Sequence, residues 1–375
     1  MTPPLQSVLI VGGGIAGMAT AIELRRRGIA VDLIDLDPQW RVYGAGITIT
    51  APTLRAFGQL GILDAVLERG YSGRGIRICT TDGTPVDEVS DPAELGVDAP
   101  GSGGIMRPVL HQILSERTRA SGTAVQLGVT VDALASDELG VDVRFSDGGH
   151  GRYDLVIGAD GLNSKVRRLI FPEAPVPEYT GQTIWRLFAD RPPEIDRRHF
   201  FLGGPVKIGV APVSQQSLYL FLLENTPRRP IMPDAELAAE MARLMAGYGG
   251  IVGRLRDGLG PQSPIIMRPL EAFLLPAPWY RGRVLLIGDA AHPTTPQLAS
   301  GAGMAVEDAI VLGQQIDTAD NVAAALAGFM ARRAARCQLV VENSLAIGRL
   351  EQAGAPPTEQ TRLVAQSLAV LAQPI

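Results

Sequence analysis

The feature that most constrains this chain is a glycine run set between an apolar strand and a helix. Ser7–Val11 is a short apolar run that ends in Gly12, Gly13 and Gly14. Residues 15–27 then repeat apolar side chains at helical spacing, and residues 29–36 read as a second buried strand. Arg25 to Arg27 set positive charge at the C-terminal end of the helix, and Gly28 follows as a cap. The chain therefore opens with a βαβ unit.

Inside that unit, Gly12-x-Gly14-x-x-Gly17 has the spacing of a dinucleotide site. Gly12 permits the tight turn, Gly14 lets backbone approach a pyrophosphate, and Gly17 lets helix and strand pack closely. Ile15 and Ala16 begin the helix, whose first N–H groups are free for phosphate oxygens. Asp35 ends the second strand, with Leu36 after it, where an acid accepts both ribose hydroxyls of an adenosine. The same glycines also suit a tight turn with no ligand, and they do not separate FAD from NAD.

Bulk composition narrows the class. A net charge of −5 and no long basic run argue against nucleic acid as a partner. Cys79 and Cys337 lie far apart, which fits a reducing cytoplasm. No basic leader or cleavage site precedes the first strand, and apolar runs break well short of a membrane span. A cytoplasmic protein without a membrane partner, monomeric or homodimeric, is expected.

Two more strand-then-glycine signals come late, at Leu155–Gly158 and at residues 284–288, the second followed by an Ala-rich helix over residues 303–315. Between them, residues 183–223 alternate apolar runs with Pro and Gly clusters, which reads as an antiparallel sheet. Residues 234–248 read as a helix, as do residues 108–120, and residues 322–372 are helical with a break at 354–357. The expected fold is α/β: a Rossmann-like dinucleotide domain interrupted by an antiparallel β-sheet substrate domain, with C-terminal helices. Residues 1–75, 103–175 and 276–375 are assigned to the first domain, and 76–102 and 176–275 to the second.

Three motifs follow one another along the chain. After the first glycine motif come Gly158-Ala159-Asp160-Gly161, continuing through Ser164 and Val166 to Arg167, and then Gly288-Asp289-Ala290-Ala291-His292-Pro293. This order resembles the class A flavoprotein monooxygenases, typified by para-hydroxybenzoate hydroxylase, over nearly the whole chain. The resemblance implies FAD, held tightly but not covalently, and NAD(P)H as a transient reductant that needs no second GxGxxG. It implies that Asp289, next to Gly288, accepts hydrogen bonds from the ribitol. It also implies that Arg107 reaches the ribitol or pyrophosphate, and that the loop Gly44-Ala45-Gly46-Ile47 lies near the isoalloxazine ring. Asp160 is expected to organise backbone around the dinucleotide. Pro296, Gly301, Ala302, Gly303 and Met304 carry the turn and helix N-terminus that would face the flavin N1–C2=O edge and stabilise negative charge there. The family pattern PxxGQGxN is altered in that turn, with Ala299 for Gly and Ser300 for Gln, so the polar side-chain contacts must differ.

The activity implied is hydroxylation of a small aromatic or heteroaromatic substrate by O2 through a flavin C4a-hydroperoxide, with the cofactor supplying the difficult chemistry. Oxygen insertion beside a ketone is the alternative reaction. Trp185 is a candidate for stacking on the ring, and Arg186 for pairing with a carboxylate or enolate oxygen. Tyr219 and Phe221 alternate on one strand face as candidate walls, with Ile47, Pro296 and Leu298 as apolar contacts near the flavin. Arg186 and His292 are the candidates for a direct catalytic part, His292 having a backbone hydrogen bond as its competing role. His111, His150, His199 and His292 are too dispersed in sequence for a metal site. Rival readings are another flavoenzyme or a flavin-binding accessory protein without turnover. The WxWxIP segment of flavin-dependent halogenases is missing, since Trp40, Trp185 and Trp279 are isolated.

Overall fold

The computed structural model describes residues 5–42, 44–73, 75–89, 101–228 and 232–375. Residues 90–100, part of the first segment (76–102) expected for the β-rich unit, lie outside the described residues. The fold is mixed α/β. A six-stranded sheet runs in the order Tyr280–Arg281, Val284–Leu286, Leu155–Gly158, Ser7–Val11, Ala30–Asp35, Ala124–Leu127. All its pairings are parallel except the first. The central strands are unbroken apolar runs because both faces are covered: Val8, Leu9, Ile10, Val156, Ile157, Leu285 and Leu286 are all 0% exposed.

The helix Ile15–Arg26 ends one residue earlier than its periodicity suggests. Arg27 is the C-cap and Gly28, at φ +77°, makes the left-handed exit. This helix packs on Gly301–Thr318, longer at both ends than the Ala-rich stretch suggested, and on Arg107–Ala120. At the C-terminus, Val322–Gln352 and Pro357–Ala372 are separate helices with the break where Gly354 and the prolines place it. The helix expected over 234–248 stops at Leu244, and a second short helix, Gly250–Asp257, follows. No helix among the described residues is long and apolar enough to cross a membrane.

A seven-stranded sheet runs in the order Ile265–Ala272, Glu178–Asp190, Ser217–Asn225, Lys207–Pro212, Arg198–Phe201, Ile76–Cys79, Pro85–Val89. Its pairings are antiparallel except that of Arg198–Phe201 with Ile76–Cys79. Alternation along Glu178–Asp190 gives this sheet two distinct faces. Trp185 and Leu187 pack with Leu220, Leu222 and, from the two short helices, Leu237, Met241 and Val252. Ile184, Arg186 and Phe188 point the other way, opposite Leu223, Phe221 and Tyr219 on the neighbouring strand.

Two small antiparallel sheets complete the described fold. Gly46–Thr50, Ser102–Met106 and Tyr71–Gly73 form one; Val131–Ser136, Val141–Phe145 and His150–Tyr153 form the other. Neither sheet has a recognisable signal in the sequence. Their strands are short, and many of their residues are glycine or half-exposed polar groups with little periodicity.

Candidate active site

The first glycine turn is shaped by its neighbours. Gly12 sits at φ +110°, and a Cβ there would stand 2.3 Å from the Ala159 carbonyl oxygen. A Cβ on Gly17 would stand 1.9 Å from the Gly12 oxygen. Gly14 differs: it is exposed, and a Cβ there would meet nothing within 4 Å. Gly12 and Gly17 are therefore required by packing, whereas Gly14 borders open space at a helix N-terminus where Ile15 and Ala16 follow. The Gly13 N–H donates to Asp35 Oδ2 at 2.7 Å, and the Asp37 N–H to Asp35 Oδ1 at 2.8 Å, which fixes the Asp35 carboxylate beside the turn. Trp40 closes the other side, donating from Nε1 to the Gly13 oxygen at 2.9 Å. Leu36, next along, is 67% exposed.

The second and third motifs meet this turn in space. Asp160 caps the helix Lys165–Ile170: its Oδ2 accepts from the Lys165 and Val166 N–H groups at 2.7 and 3.0 Å, and its Oδ1 from the Ser164 hydroxyl at 2.5 Å. Its carboxylate is thus engaged in holding backbone. Arg167, 3% exposed, bridges the two motifs by donating to the Ala290 and Leu162 oxygens at 2.9 and 2.8 Å. Gly288 lies against Ala16 of the first helix, where a Cβ would stand 2.9 Å from the alanine methyl. Asp289 is accessible to solvent, yet the surrounding protein crowds its carboxyl and pushes its pKa up, with His292 and Arg107 pulling the other way. Neither Asp289 nor the Arg107 guanidinium has a side-chain hydrogen bond or ion pair among the described residues.

The ring of His292 bonds a side chain rather than the backbone expected for it. It is 1% exposed and its Nε2 pairs with Asp308 Oδ2 at 2.7 Å. Arg333 donates to Asp308 Oδ1 at 2.8 Å and to Glu307 Oε2 at 2.7 Å, and Arg336 closes on Glu307. Although His292, Asp308 and Cys337 present ligand-type atoms within 4.8 Å of one another, the Arg333 guanidinium already stands among them, 3.4 Å from the Cys337 sulfur. A fixed cation there opposes a metal ion.

In the turn after the third motif, Pro296–Leu298 is one turn of 3-10 helix and Ala299 follows at φ +50°, in the left-handed region. Ser300 spends its hydroxyl on the Leu298 oxygen at 2.8 Å. Gly301 and Ala302 stand half-exposed at the start of the long helix with first-turn N–H groups that no intrahelical carbonyl can reach, while Gly303 and Met304 are buried. Leu298, at 2% exposure, and Ile47, at 9%, belong to the large core. Of the three apolar contacts expected near the flavin, only Pro296 stands half-exposed. At Gly46 the missing side chain makes room for Tyr219 and Val213, which a Cβ would approach to 2.4 and 2.7 Å.

One face of the seven-stranded sheet gathers the remaining candidates. Phe221 stands opposite Arg186, its ring 5.8 Å from that of Tyr219 and 5.7 Å from that of Phe200. The Tyr219 hydroxyl hydrogen-bonds with Thr48 Oγ1 at 2.7 Å, joining the sheet to the loop strand Gly46–Thr50. Burial pushes the Tyr219 phenol up, so it stays protonated. Arg186 is half-buried and makes no hydrogen bond or ion pair among the described residues. Burial, with the Arg107 and Arg268 cations nearby, brings its pKa down to about 10. Trp185 is not on this face: it is 0% exposed, packs in the opposite layer, and donates from Nε1 to Glu224 Oε2 at 3.0 Å. It is core, not a stacking surface, because strand neighbours point to opposite sides of a sheet.

At the edge of this face lies a polar clamp that sequence reasoning missed. Glu351, near the end of the helix Val322–Gln352, accepts from Lys207 Nζ at 2.5 Å and from the Gln182 and Gln297 amides at 3.1 Å each. These residues are scattered along the chain and share no motif, so no sequence signal could have joined them.

Residues 6–344 match the family model described as "FAD binding domain". The chain is 30% identical to the putative FAD-dependent monooxygenase YetM of Bacillus subtilis, covering 98% of this chain and 99% of that one. It is 34% identical to the 2-heptyl-3-hydroxy-4(1H)-quinolone synthase of Pseudomonas aeruginosa, covering 93% and 91%. The structure of Klebsiella pneumoniae HpxO complexed with FAD and uric acid superposes with a TM-score of 0.82 at 25% identity, covering 98% and 95%.

Proposed function

The chain belongs to the FAD binding domain family and is a FAD-dependent monooxygenase, and we propose that it hydroxylates a small heteroaromatic ring bearing an anionic or enolisable oxygen. The observation that carries the substrate class is Arg186, a guanidinium with no hydrogen bond or ion pair among the described residues, set beside the rings of Phe221 and Tyr219. A cation held in apolar surroundings binds an oxyanion far more tightly than in water. An aromatic platform beside it accepts the ring to which that oxygen is attached. The quinolone and urate named for relatives are nitrogen heteroaromatics that carry such oxygens.

The residues fit FAD. Gly12, Gly14, Ile15, Ala16 and Gly17 would hold the pyrophosphate, with Asp35 and Leu36 at the adenosine ribose. Asp160 would act through the loop it caps, and Arg107, Gly288 and Asp289 would hold the ribitol side. Among the described residues the Asp289 and Arg107 side chains have no hydrogen-bond or ion-pair partner, as a polyol site requires. The turn at Pro296, with Gly301, Ala302, Gly303 and Met304, would lie along the flavin ring, its free N–H groups favouring negative charge. When bound, FAD would supply the hydride-accepting and O2-activating chemistry, with NAD(P)H as reductant.

The protein's share is to bind, orient and exclude water. Arg186 holds the substrate oxygen as an anion, which enriches the adjacent ring carbon in electrons. Phe221 and Tyr219 hold the ring plane, and Phe188 and Met106 pack around Tyr219 to keep water out. The face of the seven-stranded sheet is thereby assigned to substrate, and the unit built on the six-stranded parallel sheet to the dinucleotide.

The test is NAD(P)H oxidation by FAD-loaded protein with phenols, hydroxypyridines, quinolones and purines, with products weighed for one added oxygen. Arg186→Met is expected to lower kcat/KM by about 100-fold, from loss of a charge-assisted hydrogen bond, without changing flavin content. Trp185→Phe should leave kcat/KM within about twofold. Equal losses in the two variants, or a stimulating substrate that ignores Arg186→Met, would remove the assignment.

A further inference from the structure

A cavity of about 260 Å³ lies between the start of the long strand Glu178–Asp190 and the last turns of the helix Val322–Gln352. Arg186, Phe221 and Tyr219 are not among its lining residues. Two of its lining residues carry hydroxyls that none of the described residues satisfies: Thr295 Oγ1 and Ser344 Oγ are buried without a hydrogen-bond partner. Thr295 is 3% exposed and Ser344 0%. An unpaired buried hydroxyl costs about 1–3 kcal/mol, so two of them in the wall of one cavity need a common explanation. Leu345 and Ala272 give the cavity apolar walls, and the exposed Arg349, whose side chain has no ion pair among the described residues, lies at its rim.

We propose that this cavity is a second ligand site, for a single aromatic ring. An oxygen on the ring would meet the Thr295 and Ser344 hydroxyls, and a carboxylate would meet Arg349. The size fits one ring. Pockets for drug-sized ligands begin near ~300 Å³, so a dinucleotide is too large for it.

The site is wired to the turn beside the flavin, a statement that rests on the reading of that turn given above. Thr295 is the N-cap of Pro296–Leu298. Gln182 lines the cavity, and its Oε1 accepts from Gln297 Nε2, inside the same turn, at 2.8 Å. Gln182 and Gln297 both donate to Glu351, whose other oxygen pairs with Lys207 on the substrate sheet. A ligand that draws on the Thr295 hydroxyl acts directly on the turn, and through the clamp on the sheet edge. Occupancy of the cavity is therefore expected to alter the flavin's surroundings from outside the catalytic face.

The experiment is isothermal titration of 4-hydroxybenzoate into FAD-loaded protein, with flavin absorbance followed in parallel. The expected result is a binding component that perturbs the flavin spectrum, survives Arg186→Met, and weakens about tenfold or more in Ser344→Leu and in Arg349→Glu. Arg349 is exposed, so its variant guards against misreading a poorly folded Ser344→Leu protein. No binding, the outcome if the cavity holds only water, overturns the second site. So does binding that vanishes in Arg186→Met and ignores the other two variants, and that result leaves the catalytic reading standing. A Ser344-dependent component together with turnover indifferent to Arg186→Met would sustain the second site and sink the catalytic reading instead.

Discussion

Arg167, from the second glycine motif, donates through Nη1 to the carbonyl oxygen of Ala290, in the third, at 2.9 Å. Its other amino group holds the Leu162 oxygen at 2.8 Å, and the guanidinium lies 4.3 Å from the Phe273 ring centre. One side chain thus fixes the distance between the two loops proposed above to hold the same cofactor. Arg167→Ala is expected to cost about 3 kcal/mol, since it strands one buried and one partly buried carbonyl and leaves a cavity. FAD affinity should fall with it. Chemical denaturation and flavin titration of the same variant check both, and an unchanged flavin affinity would uncouple the motifs.

The glycines of the first turn separate packing from binding. Gly14→Ala is expected to leave the denaturation midpoint of the apoprotein within the range of a surface change, about 0.5 kcal/mol, because its Cβ enters open space. FAD binding should weaken by about tenfold or more where that methyl meets the pyrophosphate. Gly12→Ala and Gly17→Ala should destabilise the apoprotein itself, since their methyl groups run into the Ala159 and Gly12 carbonyl oxygens. Melting curves of the three apoproteins distinguish the cases, and a Gly14→Ala protein that binds FAD normally would move the pyrophosphate elsewhere.

Ala299 holds φ +50° where the family pattern has glycine. A left-handed alanine costs about 1 kcal/mol or more, partly offset in glycine by the greater freedom of its unfolded chain. Ala299→Gly is therefore expected to raise stability by up to about 1 kcal/mol, and Ala299→Val to lower it by about 2 kcal/mol. Thermal melting gives the sign of each, and a stabilising valine would mean that the turn takes another conformation.

The buried cluster around Arg333 predicts pH dependence at both ends. Burial alone would raise the Asp308 carboxyl, but His292 and Arg333 hold it down, from 3.8 to about 2. A depressed acid stabilises the fold above its unfolded pKa, and that contribution, about 2 kcal/mol, is lost as pH falls from 4 towards 2. Burial opposes the His292 cation too, yet the Cys337 sulfur and the Asp308 carboxylate raise its pKa well above 6.5. Its contribution is present below pH 6.5 and fades only as pH rises through that elevated value. Asp308→Asn should flatten the acid limb of a melting-temperature profile and bring the His292 titration back down. An unaltered acid limb would place the sensitivity in other carboxylates.

Much of the unit built on the six-stranded sheet was legible in the sequence because its signals are local. A strand that ends in glycines, a helix that follows at 3.6-residue spacing, and a break at Gly354 all act within a few residues of themselves. The order of three such motifs also carried the family, and with it FAD and monooxygenase chemistry. What the sequence could not decide was which side of a sheet a residue faces relative to everything else. Trp185 and Arg186 are adjacent, and both looked fit for a substrate. Pairing with Ser217–Asn225 sent one into the core with Leu222 and left the other beside Phe221. His292 was expected to hold backbone, but the long helix brought Asp308 to it. The Glu351 clamp and the cavity beside it join residues 182, 207, 297 and 351, which have no spacing to recognise. Sequence fixes interactions that repeat along a single element, whereas partners drawn from four separate elements exist only once the layers have packed and their side chains have been forced to share one interior.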